Sequence, residues 1–552
     1  MLVKRLLAAM TLTRFALAAL VVASAAPAMA QPRIVALSDH DEREYRAAFD
    51  AIEDHNWRAV STALSHVEDD SLVGVVRGRM LLSRAYHPSR SELNAWLTRY
   101  RDLAISGEVY QRAQAMRTRT VGRRRHRHTV LVGPAPPSPA PISVRQFPGT
   151  PPSPPDDSAA VRVQISRIAE YVGMGDDADA KALGEVAANG PREGQADWWL
   201  GIVAYRQHDY AEAVRRFEAA ASWPYNGGWA SAAAHYWAAR SRMAAGETDG
   251  VVLHLEAAAQ KPWTFYGQLA EAQLGRESTM DFTAPTLDQT QATAFLDKHA
   301  EARRAAALAQ LGRLSEVEGE LRRLHGALDP SEDRTYLALA ISLQAPSAQL
   351  RAAEYGGPAL AAGYCPSTTF MPDDGFTLDR ALLFGIVRQE SYFNPKAVSV
   401  TNARGLMQLL ASTAHDMDRS KNFRRNPTLL FDPGANMSLG QAYVHWLFDQ
   451  FQENTDLVRI FAAYNGGPGW LQRWLAQQPD ASDPLLVLET MSRADSRDYA
   501  ERVLSHMALC RKTLGQPTPE MDALASGHPA IYQALDSRVA SSVSAPPTSA
   551  SP

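Results

Sequence analysis

Residues 377–395, TLDRALLFGIVRQESYFNP, contain the best-placed acid in the chain. Leu383, Val387 and Glu390 stand at i, i+4 and i+7, with Ile386 beside them. A helix here therefore carries Glu390 on its apolar face, near the C-terminal end. A carboxylate in that position loses hydration, which disfavours its charge and raises its pKa. A carboxylic acid still protonated at neutral pH is what general acid catalysis needs. Spacing alone also allows a plainer reading, a Glu at the edge of a core that reaches water or an Arg. Thr377 is placed to cap the helix and Asp379 falls in its first turn. Pro395 stops the helix before Asn394.

The elements that must hold this helix are themselves helical. From about Asp39, Tyr45, Phe49, Ile52 and Trp57 recur at helical spacing, and we expect an N-terminal helical segment over 31–120. Residues 121–158 change texture: a basic start, Arg123 to Arg127, then a proline-rich run that admits neither helix nor central strand. A disordered or extended insertion is expected there, its charges solvated. Helical pattern resumes over 159–362. ADWWLGIVAYRQHDYAEAVRRFEAAA reads as two helices about a turn at His208-Asp209. SAAAHYWAARSRMAAGETDGVVLHLEAAA repeats the plan about Gly246, and EARRAAALAQLGRLSEVEGELRRLHGAL repeats it about Gly312. Such hairpins leave a face uncovered and stack, so a tetratricopeptide-like superhelix is expected. A compact domain follows over 363–516, then an extension over 517–552 that ends in Ser, Ala and Pro and is expected to be disordered there.

Composition removes several function classes. At 552 residues, with 45% hydrophobic and 21% charged, the chain has the material for large cores. A formal charge of −4 argues against a nucleic-acid binder that relies on overall positive charge. Cys365 and Cys510, the only cysteines, exclude a disulfide-rich scaffold and a four-thiolate zinc site. The N-terminus has the form of an export signal: Lys4 and Arg5, an apolar stretch after Arg14, and Ala28-Met29-Ala30 as the cleavage site. We expect cleavage after Ala30, no stable membrane insertion afterwards, and a compartment that tolerates a disulfide. A Cys365–Cys510 bridge would clamp the two ends of the compact domain; two buried free thiols are the alternative.

RQESYFNP, ARGLMQLLASTA, LFDPGANMSLGQAYVHWL and FAAYNGGPGWLQRW occur in this order. Together they resemble the catalytic domain of soluble lytic transglycosylases, lysozyme-like enzymes that cut the glycan strand of peptidoglycan. The resemblance covers roughly residues 364–515. It implies a mainly all-α chain: a helical superhelix followed by a lysozyme-like α+β catalytic domain. It implies Glu390 as the single catalytic acid, then base, with no cofactor and no metal. The cut would fall between N-acetylmuramic acid and N-acetylglucosamine, leaving a 1,6-anhydro ring. Substrate contacts are expected from Ser391, Met407, Gln408, Tyr464, Asn465, Glu489 and Tyr499. Ser391 has a backbone alternative, and Tyr499 is expected to bond Glu390 or an N-acetyl group. Asn436 and Gly440 are expected to serve structure. The family's Pro after Gly-Leu-Met-Gln-x-x is Ala411 here, and Gly466 and residues 495–499 also depart from its pattern. The resemblance implies peptidoglycan strands as partner, other cell-wall enzymes as candidates, and the periplasm as the site of action. A hydrolytic muramidase, or a solenoid scaffold without catalysis, are the other readings.

Overall fold

The computed structural model describes residues 34–121, 128–131, 134–145, 150–451, 455–478 and 482–536. Helices dominate them, and many begin at the polar residue that sequence logic favours. Ser38 accepts from the Asp41 amide at the start of Asp39–Glu53. Ser89 and Glu92 close a capping box on Arg90–Arg99, and Asp209 caps Tyr210–Ser222.

The expected hairpins are present as Glu193–Arg206 with Tyr210–Ser222, Gly228–Ala244 with Val251–Ala259, and Ala300–Gln310 with Leu314–Ala327. Their turns pass through left-handed backbone at His208 (φ 60°), Gly246 (φ 78°) and Gly312 (φ 76°). Gly201 lets the first pair close up: a Cβ there would lie 2.8 Å from the Phe217 ring.

The uncovered faces are not buried in one continuous stack. The N-terminal segment, with Tyr45, Trp96 and Leu97, shares a core with Ala305, Leu321 and Tyr336. Arg303 pairs with Asp69 across that contact at 2.8 Å. The middle hairpins, with Phe217, Trp237 and Tyr266, share a second core with Leu382, Phe461 and Val503 of the compact domain. Residues 31–120 are therefore no separate unit, and the span 159–362 is divided between two cores. A hairpin's free apolar face is covered by whichever surface the chain returns to it.

The insertion at 121–158 also differs from expectation. Strands Thr118–Val121 and His128–Leu131 pair antiparallel. Residues 134–145 are extended but docked. The Ala140 amide donates to the Arg101 carbonyl at 2.8 Å. Arg145 donates to buried Asp333 at 2.9 Å, its guanidinium 5.8 Å from the Tyr355 ring centre. Proline leaves such a segment few donors, so it needs few backbone partners, and one charged anchor secures it. The run Arg123–Arg127 lies outside the described residues, as does the proposed signal.

In the compact domain, helix Arg380–Ser391 packs along Ala494–Thr513. Strand content there is confined to isolated bridges such as Val398–Arg404 and Arg404–Leu409 among the described residues. The extension is integral as far as residue 536. Helix Pro519–Ala525 carries Glu520, which accepts from fully buried Arg511 at 2.8 Å. The Leu535 and Asp536 amides donate to Asp379. The expected capping by Thr377 is not seen: its hydroxyl meets His445, and Asp379 occupies the cap position without bonding a helix amide. Cys365 and Cys510 form a disulfide spanning 145 positions. Closing a loop of that size stabilises by about 4–5 kcal/mol in the chain-entropy account.

Candidate active site

Helix Arg380–Ser391 approaches Ala494–Thr513 closely at Gly385, where a Cβ would lie 3.1 Å from the Met507 nitrogen. That approach brings Glu390 to Tyr499. The helix then ends abruptly: Tyr392 and Phe393 adopt left-handed φ of 53° and 60°, and Phe393 is buried. Glu390 is left half-buried on the wall of a cavity of about 1020 Å³.

The Tyr499 hydroxyl donates to Glu390 Oε1 at 2.8 Å. Burial pushes the Glu390 carboxyl up to about 7, and the Tyr499 hydrogen bond opposes that without cancelling it. Tyr499 is fixed in turn. Its ring stacks on Tyr464 with centres 6.0 Å apart and planes 7° apart. The Tyr464 hydroxyl donates to the Met407 carbonyl at 2.9 Å. Asn436 accepts from the Met407 amide at 2.8 Å and donates to the Arg404 and Leu430 carbonyls. Gly440 makes room for the Met407 side chain, since a Cβ there would lie 2.1 Å from its sulfur. The separate motifs thus form one chain of contacts ending on the acid.

Ser391 and Gln408 line the same cavity. The Ser391 hydroxyl donates to the Val387 carbonyl at 3.1 Å, the backbone alternative. The Gln408 side-chain amide donates to the Ala397 and Gly405 carbonyls, so its nitrogen holds the loop in place. Four expected substrate contacts are elsewhere. Met407 is fully buried, because its side chain fills the space over Gly440, and it forms no cavity wall. Asn465 is exposed, accepts from the Ser496 hydroxyl at 3.0 Å and is not among the cavity's lining residues. Glu489 is buried, accepts from the Tyr266 hydroxyl and lies beside Arg497. It borders a second cavity instead. Tyr464 is buried too and acts through Tyr499.

The opposite wall was not foreseen. Trp229, Lys261 and Trp263 come from the superhelix, with Glu354 from Pro346–Gly356. Glu354 is held by Arg388 at 3.2 Å and by the Tyr392 hydroxyl at 2.9 Å. Its position behind Arg388 and Tyr392 joins the superhelix to the end of the Glu390 helix. Trp263 stands in the segment PWTFYGQLAEAQLG, whose aromatic content was the available signal.

A helical superhelix closing one side of a cavity, with a lysozyme-like domain offering a single protonatable acid on the other, defines the class of protein. Residues 368–486 match the family model described as the transglycosylase SLT domain, and the compact domain belongs to that family. The chain is 34% identical over 146 residues to a soluble lytic murein transglycosylase of Salmonella typhimurium. That match covers 26% of this chain and 22% of the relative, so it spans less than a quarter of the relative's length. Among solved structures, a lytic transglycosylase Slt of Pseudomonas aeruginosa, determined as an inactive glutamate-to-glutamine mutant, superposes with a TM-score of 0.51 at 19% identity. It covers 90% of this chain and 76% of its own. The 70 kDa soluble lytic transglycosylase of Escherichia coli gives 0.50 at 15% identity, over 87% and 98%. The likeness to both structures is one of fold, and it extends through the superhelix.

Proposed function

We propose that the protein is a lytic transglycosylase of peptidoglycan, cutting between N-acetylmuramic acid and N-acetylglucosamine without water. The observation that carries this reading is the state of the cavity's carboxylates. Glu390 is pushed to about 7 and, among the described residues, bonded only to Tyr499, whereas Glu354 is committed to Arg388 and Tyr392. Glycosidases that use two carboxylates need both available. Here one acid is available, which suits a reaction whose nucleophile belongs to the substrate.

In the first step protonated Glu390 gives its proton to the glycosidic oxygen, and the bond to the muramyl C1 breaks as positive charge develops there. The muramyl N-acetyl oxygen stabilises that charge. In the second step the Glu390 carboxylate takes the proton of the muramyl C6 hydroxyl, whose oxygen bonds to C1. The ring closes and Glu390 is again protonated. An intramolecular hydroxyl is already close to C1, so it needs no second activating carboxylate. Tyr499 donates to Glu390 and stabilises the carboxylate between the two steps. Trp229 and Trp263 offer the opposite wall apolar faces for sugar rings.

The proposed site of action is the periplasm. The export-signal reading of residues 1–30 and the murein transglycosylase named among the relatives support this. Among the described residues no helix is long and apolar enough to cross a membrane.

The test is product mass after digestion of purified peptidoglycan. Fragments lighter by one water than hydrolysis products, made by wild type and Glu354→Gln but not by Glu390→Gln, are expected. Ordinary reducing ends, lost in Glu354→Gln, would replace this reading with a two-carboxylate muramidase.

A further inference from the structure

Two successive residues with side chains, Tyr392 and Phe393, leave the Glu390 helix in left-handed backbone. Such backbone is unfavourable for a residue with a Cβ and persists only where the surroundings over-determine it. At Phe393 burial in the core does this. At Tyr392 the holding contacts come from one helix of the superhelix, Pro346–Gly356. The Ser347 hydroxyl donates to the Tyr392 carbonyl at 2.8 Å. The Tyr392 hydroxyl donates to Glu354 at 2.9 Å, and the Arg351 guanidinium lies 5.9 Å from the centre of its ring. Backbone and ring are thus held separately.

Ser347 is itself fixed from behind. It stands in the first turn of Pro346–Gly356, where backbone amides have no partner within the helix. Its amide donates to Glu318 Oε1 at 2.8 Å, from helix Leu314–Ala327. Burial pushes the Glu318 carboxyl up to about 7, opposed by the Ser347 and Ala348 amides and the Arg351 charge. Neither Ser347 nor Glu318 borders the Glu390 cavity. A line of contacts therefore runs from Glu318 through Ser347 to Tyr392, two residues from the acid, without passing through the substrate's space.

We propose that Ser347 is a positioning residue for the Glu390 reaction: its hydroxyl fixes the left-handed end of the helix, so the superhelix sets where the acid meets Tyr499 and the strand. The inference rests on the function proposed above. It gives the superhelix a part in proton transfer besides forming the opposite wall. A displacement of about 1 Å at the acid costs about 10²-fold in rate, because proton transfer needs hydrogen-bond reach. Glu354 supports the same turn through the Tyr392 hydroxyl, but it also borders the cavity. Ser347 isolates the positioning effect.

The test is Ser347→Ala in the full chain, with Ser347→Thr as the variant that keeps the hydroxyl. Ser347 is half-buried, so its truncation leaves the fold intact. On purified peptidoglycan, Ser347→Ala is expected to lower kcat by about tenfold, with KM within about twofold of wild type. The alkaline limb of its pH–rate profile should move upward, because a carboxyl loosened from Tyr499 loses the bond that opposes burial. Ser347→Thr should keep both near wild type. A residue serving stability alone would lower the unfolding midpoint and leave kcat per folded molecule and the limb in place; that result overturns the proposal. A rise in KM at unchanged kcat, or a loss shared equally by Ser347→Thr, also overturns it. If wild type cuts no strand, the function proposed above has failed, and the carboxyl itself decides this inference. Carbon-13 titration should then show a higher Glu390 midpoint in Ser347→Ala than in wild type and in Ser347→Thr. An unchanged midpoint overturns it.

Discussion

Helix Arg380–Ser391 has a carboxylate at each end, and the two are treated in opposite ways. Asp379, at the start, is fully buried and accepts from Arg511 at 3.1 Å and from the Leu535 and Asp536 amides. Glu390, at the other end, has the Tyr499 hydroxyl and no cation pair among the described residues. Burial raises both carboxyls above their ordinary values. At Asp379, donors and a guanidinium compensate the charge and fix the helix start to the C-terminal extension. At Glu390 that compensation is withheld, so the proton stays until close to neutrality. One end is an anchor, and the other is held ready to exchange a proton.

Removing the exchangeable proton should have the largest effect. Glu390→Gln is expected to lower turnover by about 10³-fold or more, measured as release of soluble fragments from peptidoglycan. The same substitution should alter stability with a definite sign. The folded chain holds the Glu390 proton more tightly than the unfolded chain does, between their values of about 7 and 4.5. Its contribution is therefore full below 4.5 and lost as pH rises through 7. Glu390→Gln should match wild type at pH 4 and exceed it at pH 8 by on the order of 1–3 kcal/mol in denaturant unfolding.

Removing the anchor should do the reverse. Asp379→Ala leaves Arg511 buried with Glu520 as its only remaining carboxylate partner among the described residues. A loss of about 3–5 kcal/mol in unfolding free energy is expected, with turnover per folded molecule changed far less. A fall in turnover as large as that of Glu390→Gln, without loss of stability, would dissolve the contrast between the two ends.

The smallest change sharpens the comparison. Tyr499→Phe removes the hydroxyl that stabilises the Glu390 anion, so the carboxyl rises further. The alkaline limb of the pH–rate profile should move upward, and turnover should fall by about tenfold. An alkaline limb that moved downward would mean the hydroxyl does not serve as donor to Glu390.

Only the Glu390 end of this contrast was legible from residue order. For Asp379 the pattern implies only a place in the first turn, and its partners Arg511, Leu535 and Asp536 lie 132, 156 and 157 positions away. The i, i+4, i+7 pattern located Glu390 on an apolar face. The resemblance leaves Tyr499 two partners, Glu390 or an N-acetyl group, of which the hydrogen bond to Glu390 is present. Motif membership did not distinguish contact from support. The resemblance implies substrate contact for Met407 and Tyr464, yet they support Tyr499 rather than facing the cavity, whereas Asn436 serves structure as its position implies. Glu489 was misplaced for a similar reason: its partner Tyr266 lies 223 positions away, and no local pattern encodes that bond. The superhelical wall is equally remote, as Trp229 and Lys261 enter the cavity only through tertiary packing. Proline content correctly denied the 134–145 segment a helix. It did not report docking, which depends on Asp333, 188 positions beyond Arg145.

Glu390 holds its proton near neutrality while the other carboxylate of its cavity, Glu354, is committed to Arg388 and Tyr392. A carbon-13 NMR titration of the full chain labelled in its glutamate carboxyls, with Glu390→Gln subtracted, reads this directly. A resonance present in wild type, absent from the variant and titrating near pH 7 is the expected result. A midpoint at the ordinary glutamate value of 4.5 would contradict the account, since the acid would then be ionised before it could protonate a glycosidic oxygen.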